Sequence, residues 1–376
     1  MYPKSFRSIE MPADCPGSTC QRKYLGWIYT SLPIRISGIR FEIKEFSTLH
    51  LSWLQLRLLL IAFFASVGCV GPKVPSGVRE EKNIKYARVG SDTLRLDIYS
   101  PKHISGKLPV VVWIHPGGWA YGNRHSCPIA CLATQEFSIV SIDYRLSCKA
   151  PFPAQIYDCK GAVRWLRANA DKYNLDAERI GIYGASSGGH LAALLGTTDG
   201  KQELEGDVGG NLNFSSQVQA VCALYPPTDL NLLATNPSTC FFSKYLVSKL
   251  LGKNLKSQAP LASPINYVSK NSAPFFLLHG NADTLVPIQQ SQLFYEGLKK
   301  AGVEVYFVIV PGKGHGFIAP PSAARQIYAF FKDHLYRPFP TEHIRVVSDE
   351  YRAKHIPYNL CKRSPPSWLL LPLSTP

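Results

Sequence analysis

Ser186, Asp283 and His315 are the residues of this chain whose types and surroundings best suit nucleophilic chemistry. Ser186 stands at the centre of Gly184-Ala185-Ser186-Ser187-Gly188. That is the Gly-x-Ser-x-Gly spacing of a sharp strand-to-helix turn, in which the serine takes a strained backbone conformation and presents its hydroxyl. A serine hydroxyl is a weak nucleophile until an imidazole takes its proton, and the imidazole needs a carboxylate to hold its tautomer and stabilise the imidazolium. Asp283 and His315 follow the serine in that order. The glycine pattern alone fits an incidental serine in a tight turn equally well, Asp283 alone fits a helix cap, and His315 alone fits a surface loop. Three such placements together are much harder to obtain by chance.

Each of the three needs a strand to end beside it. Residues 179–183 read as a short buried strand leading into Ser186, and residues 191–195 as a helix packed under the sheet. The apolar run 274–280 releases Asp283 into a loop before a helix beginning near Pro287, and the strand 303–310 ends in a glycine-rich loop that carries His315. A tetrahedral intermediate also needs donors for its oxyanion. The buried strand 108–114 opens into His115-Pro116-Gly117-Gly118-Trp119. Pro116 has no N–H to give, so Gly117 and Gly118 are the candidate loop donors, beside the backbone N–H of Ser187. Trp119 either walls an acyl pocket or packs against the turn, and the sequence supports both equally.

The motifs His115-Pro116-Gly117-Gly118-Trp119, Asp143-Tyr144-Arg145-Leu146, Phe152-Pro153-Ala154, Gly184-Ala185-Ser186-Ser187-Gly188-Gly189-His190 and Gly314-His315-Gly316 occur in a familiar order. The chain resembles the α/β-hydrolase esterases of the hormone-sensitive-lipase-like and feruloyl/acetyl-esterase groups, from about Tyr86 to Leu335. The resemblance implies an α/β fold with a mostly parallel central sheet flanked by helices, and carboxylester hydrolysis. It implies Ser186, Asp283 and His315 as the triad and Gly117, Gly118 and Ser187 as the oxyanion hole. Pro116 departs from these groups, which usually carry a further glycine there. Asp143 and Arg145 are expected to brace loops, Asp158 to be structural within a helix over 154–170 because it precedes the nucleophile, and His190 to brace the nucleophile helix. No His, Cys, Asp and Glu cluster has metal-ligand spacing, so no metal or other cofactor is expected.

With 376 residues and 45% apolar content, the chain can bury a sizeable core, and its alternating strands and helices place the catalytic domain at 85–336. Residues 71–84 read as a linker, and 1–50 and the basic, proline-rich 337–376 as peripheral extensions. Within 51–70 lies the apolar run 58–68, preceded by Arg57 and followed by Cys69. It is too short for a comfortable membrane span and matches the core of an export signal, with Cys69 as a candidate lipidation site. This predicts a cell-envelope or extracellular protein whose translation starts near Leu51, or a membrane anchor if the signal is not cleaved; without a signal function the protein would be cytoplasmic. Six cysteines lie in the hydrolase region, and their pairing is not deducible. The net charge of +15 is spread without a basic run, which argues against nucleic-acid partners.

Between the strand at 218–225 and that before Asp283, residues 228–269 exceed a simple connection and predict a small cap over the site, with a helix over 241–251. Phe241, Phe242 and Tyr245 on that helix are candidate substrate contacts. No large lid is evident, which favours short-chain or acetyl and feruloyl esters, small-molecule or glycan, as substrates. An arylformamidase or prolyl-oligopeptidase-like amide hydrolase could use the same triad, although the stretch before Tyr86 is too short for the latter's propeller. A non-catalytic binding protein on the same fold has no evident need for an intact triad.

Overall fold

The computed structural model describes residues 74–336, apart from 104–105 and 135. Eight strands form one sheet: β1 (Val78–Val89), β2 (Asp92–Pro101), β3 (Leu108–Ile114), β4 (Ser138–Ile142), β5 (Leu175–Ala185), β6 (Ala220–Leu224), β7 (Phe275–Gly280) and β8 (Val305–Val310). Their order across the sheet is β1-β2-β4-β3-β5-β6-β7-β8. The β1–β2 and β2–β4 pairings are antiparallel, and every pairing from β4 to β8 is parallel. This is an α/β-hydrolase sheet. The helices are α1 (Ala154–Ala168), α2 (Ala170–Tyr173), α3 (Ser187–Thr197), α4 (Leu230–Thr235), α5 (Phe241–Leu251), α6 (Leu255–Leu261), α7 (Gln289–Lys300) and α8 (Pro321–Tyr336).

Side chains alternate between two cores, as strand geometry requires. Val110, Val112 and Ile114 of β3 and Phe275 and Leu277 of β7 face one core, shared with α1, α3 and α7. Val111 and Trp113, with Phe276 and Leu278, face the other, shared with α8. Both faces are covered, so the central strands read as continuous apolar runs. All of the parallel strands therefore discharge their carboxyl ends toward one edge, where the loops bearing Ser186, Asp283 and His315 begin.

Several boundaries differ from the sequence expectation. Residues 78–84 are not linker but the first half of β1, paired to β2 with two register shifts. As an edge strand it is mostly exposed and charged, so it lacks the alternating apolar signal. The strand expected from 303 starts at Val305, and the helix expected over 154–170 ends at Ala168, with α2 following. The residues 228–269 form α4, α5, α6 and two short 3-10 turns at Gly252–Asn254 and Pro264–Tyr267. Five of the six cysteines in this region, Cys127, Cys148, Cys159, Cys222 and Cys240, are free thiols. The apolar run 58–68, Cys69 and the two terminal extensions lie outside the described residues. No helix among the described residues is long and apolar enough to cross a membrane.

Candidate active site

Ser186 occupies the turn between β5 and α3 with φ +54° and ψ −121°. A side-chain-bearing residue held there stores roughly 1–3 kcal/mol of strain. Close packing imposes it: a Cβ on Gly184 would lie 2.2 Å from the Gly188 carbonyl oxygen, and one on Gly188 would lie 2.1 Å from that of Ile114. Only glycine lets strand, turn and helix cross so closely. The turn is pinned by the Ser186 N–H donating to the Leu224 carbonyl and the His190 N–H donating to the Ser186 carbonyl, each at 2.9 Å.

The Ser186 hydroxyl lies 2.8 Å from Nε2 of His315, whose Nδ1 lies 2.7 Å from Oδ2 of Asp283. Asp283 Oδ1 accepts the backbone N–H groups of Leu285 and Val286 at 3.0 and 2.9 Å. Burial works to raise the Asp283 pKa, but hydrogen bonds from His279 and His315 outweigh it and hold the carboxyl at about 2. Asp283 is therefore ionised at neutral pH and can only accept, so Nδ1 of His315 carries the ring proton and Nε2 is free to take that of Ser186. Tyr225, itself at φ +38°, sets its ring edge-on to His315 at 4.7 Å between centroids.

The loop after β3 turns through three successive positive φ values, at Gly117, Gly118 and Trp119. The Gly117 carbonyl accepts the N–H groups of Ala120 and Tyr121, and a Cβ at Gly117 would collide with the Tyr121 backbone. A Cβ on Gly118 would lie 2.5 Å from Leu246 Cδ1 of α5. Gly118, Trp119, Ser186, Ser187 and His315 line one cleft, which Phe242, Leu246 and Val286 close on the apolar side. Gly117 is not among its lining residues; it makes the turn that brings Gly118 there. Ser187 opens α3, so its N–H has no acceptor within the helix.

Trp119 does both of the things the sequence left open. Its ring lines the cleft, and its indole N–H donates to Nδ1 of His190 at 3.0 Å. An indole can only donate, so the proton of His190 sits on Nε2, which gives it to the Ala262 carbonyl at 2.6 Å. His190 is thereby committed as a brace. Arg145 grips Asp158 through Nε, a terminal nitrogen and its own backbone N–H. Arg124 bridges Asp97 and Asp143. None of Arg124, Arg145, Asp97, Asp143 and Asp158 is among the residues lining the cleft.

Of the expected substrate contacts on α5, Phe241 and Tyr245 lie outside the cleft lining and Phe242 lies within it. Phe241 and Tyr245 are 66% and 41% exposed, and Leu246 joins Phe242 in lining the cleft. On α5 the face that turns inward carries 242, 243 and 246, and an aromatic stripe alone does not tell the two faces apart. His279, described below, was missed altogether. Among the described residues no group of three or more His, Cys, Asp or Glu could hold a metal ion.

A family model described as BD-FAE matches residues 96–298, more than half of the chain. Esterase LipC of Mycobacterium tuberculosis is 32% identical over 257 residues, covering 65% of this chain and 63% of its own length. The chain thus spans less than two thirds of the length of that curated relative. Among solved structures, a truncated carbohydrate esterase from gut microbiota is 33% identical with a TM-score of 0.65, covering 71% of this chain and all of its own. A bifunctional GH43-CE protein of Bacteroides eggerthii is 38% identical with a TM-score of 0.62, covering 68% of this chain and 35% of its own.

Proposed function

This chain belongs to the BD-FAE family, and from that premise we propose that it is a serine carboxylesterase acting on short-chain acyl esters or on acetyl or feruloyl esters of carbohydrates. The observation that carries the proposal is the unbroken line from Ser186 Oγ through His315 to an ionised Asp283, at 2.8 and 2.7 Å, opening into a cleft lined by Gly118 and Ser187.

Ser186 attacks the ester carbonyl as its proton passes to Nε2 of His315. The backbone N–H groups of Gly118 and Ser187 receive the oxyanion, and Asp283 stabilises the imidazolium. The imidazolium returns its proton to the departing alcohol, and water, deprotonated by His315, hydrolyses the acyl-enzyme. Carbohydrate esters are favoured by the likeness to a carbohydrate esterase from gut microbiota, and short acyl groups by the way Phe242 and Leu246 close the cleft. Rates on p-nitrophenyl acetate, butyrate and octanoate, with methyl ferulate and acetylated xylan, test the reading. A preference for octanoate would contradict the short acyl pocket, and inactivity on acetylated xylan together with methyl ferulate would contradict the assignment to acetyl or feruloyl esters of carbohydrates.

The proposal extends to export, supported by the apolar run 58–68 ahead of Cys69. An intact mass of the native protein that begins before residue 50 would refute a lipoprotein signal there.

A further inference from the structure

His279 lies in β7, four residues ahead of Asp283, and is fully buried. Its Nε2 is 2.9 Å from the Val286 carbonyl oxygen and 3.2 Å from Asp283 Oδ2, and its Nδ1 is 2.7 Å from Ser291 Oγ of α7. Carbonyl and carboxylate oxygens only accept, so Nε2 carries the proton and shares it between them. The Ser291 hydroxyl then donates to Nδ1 and fixes that tautomer. Neither His279 nor Ser291 is among the residues lining the cleft.

We infer that His279 is a positioning residue for the reaction, setting the orientation and the charge of the Asp283 carboxylate through the same oxygen that meets His315. This rests on the triad reading above. Ser291, His279, Asp283, His315 and Ser186 form one line with links of 2.7, 3.2, 2.7 and 2.8 Å. The shared N–H fastens Asp283 Oδ2 to the Val286 carbonyl, while the backbone N–H of Val286 holds Oδ1. The carboxylate therefore cannot rotate without breaking bonds at both oxygens. A donor on Oδ2 also draws charge from it, so Asp283 meets the imidazolium that forms on His315 during the reaction less strongly than a bare carboxylate would. The side chains of Asp283, Ser186, Ser291 and Tyr225 and the Val286 carbonyl face the two imidazoles. Tyr225 meets His315 at 4.7 Å and His279 at 6.5 Å, and burial, with Asp283 nearby, pushes its phenol up, so it stays uncharged.

The test is the pH profile of kcat/KM, with kcat and KM measured separately, for wild type, His279→Leu, His279→Gln and Ser291→Ala. Leucine removes the donor at similar volume, and glutamine returns an N–H near the position of Nε2. In His279→Leu, kcat should fall about tenfold with KM within about twofold. Its acid limb should move up by about half a pH unit, and His279→Gln should recover most of both. If His279→Leu does not fold, Ser291→Ala carries the test, with its acid limb moving in the same direction. An acid limb that stays at the wild-type position or moves down in the folded variant overturns the inference. Failure of the triad reading shows separately, as activity that survives in Ser186→Ala.

Discussion

Trp119 donates its indole N–H to Nδ1 of His190 across 3.0 Å, which ties the loop bearing Gly118 to the helix behind the nucleophile. The two elements that must meet at an oxyanion are thus fastened through a buried side-chain pair. Trp119→Phe keeps most of the packing but leaves the ring nitrogen of His190 unsatisfied. We expect about 1–3 kcal/mol less stability in denaturant unfolding, together with a lower kcat. Unchanged values for both would show that the pair is incidental.

The same pair gives stability a pH dependence. Burial pulls the pKa of His190 down from 6.5 to about 4, against a smaller opposing effect of its hydrogen bond to the Ala262 carbonyl. The unfolded chain therefore takes up this proton first. His190 costs no stability above about pH 6.5, and stability declines as pH falls toward 4, by about 3 kcal/mol in all. Buried His115 is shifted in the same direction, so His190→Gln should flatten the slope in part. An identical slope in that variant, measured by unfolding at several pH values, would contradict the assignment.

Gly118 and Leu246 are in mutual contact across the cleft, since a Cβ on Gly118 would fall 2.5 Å from a Leu246 methyl. Gly118→Ala should therefore lower kcat/KM about 10–100-fold by displacing the loop donor. Adding Leu246→Ala should restore part of the loss, because the obstacle is a side chain. No such partner exists for Gly117→Ala, where the obstacle is the Tyr121 backbone.

Acyl-chain preference separates the inward from the outward face of α5. Phe242→Ala should raise octanoate relative to acetate in kcat/KM by about tenfold, an effect of the size expected for hydrophobic pocket discrimination. Phe241→Ala and Tyr245→Ala should leave that ratio unchanged. A shift with Phe241→Ala would return it to the substrate pocket.

Asp283→Asn would present an N–H donor to Nδ1 of His315 and turn the imidazole to the tautomer that cannot accept from Ser186. The expected loss is about 10⁴-fold in kcat with KM little changed. Loss of only a few fold would mean that Asp283 does not orient the base.

Much of this was legible in the sequence where local rules decide. The strand-turn-helix around Ser186 is set by glycines that must sit where a Cβ would strike backbone. The inner strands announce themselves as apolar runs because both faces are covered, and residues 241–251 were readable as a helix with the observed bounds. What escaped depends on tertiary context. β1 is an exposed edge with charged residues, so its first half read as linker. The inward face of α5 is decided by what the helix lands on, which places Phe242 on the cleft and leaves Phe241 outside. His279 looked like one more residue of a buried strand. Its contact with Asp283 exists because the 281–286 turn folds back over the end of β7, and no periodicity encodes that. The only hint was a histidine four residues ahead of the acid at a strand's end.

Everything proposed for this protein depends on Ser186 being the nucleophile of an esterase. The most direct measurement is p-nitrophenyl acetate hydrolysis by the wild-type protein and by Ser186→Ala, with circular dichroism showing both folded. Ready turnover by the wild type and a loss of about 10⁴-fold or more in the variant are expected. Comparable activity in the two proteins, or none in folded wild type, would contradict that role for Ser186.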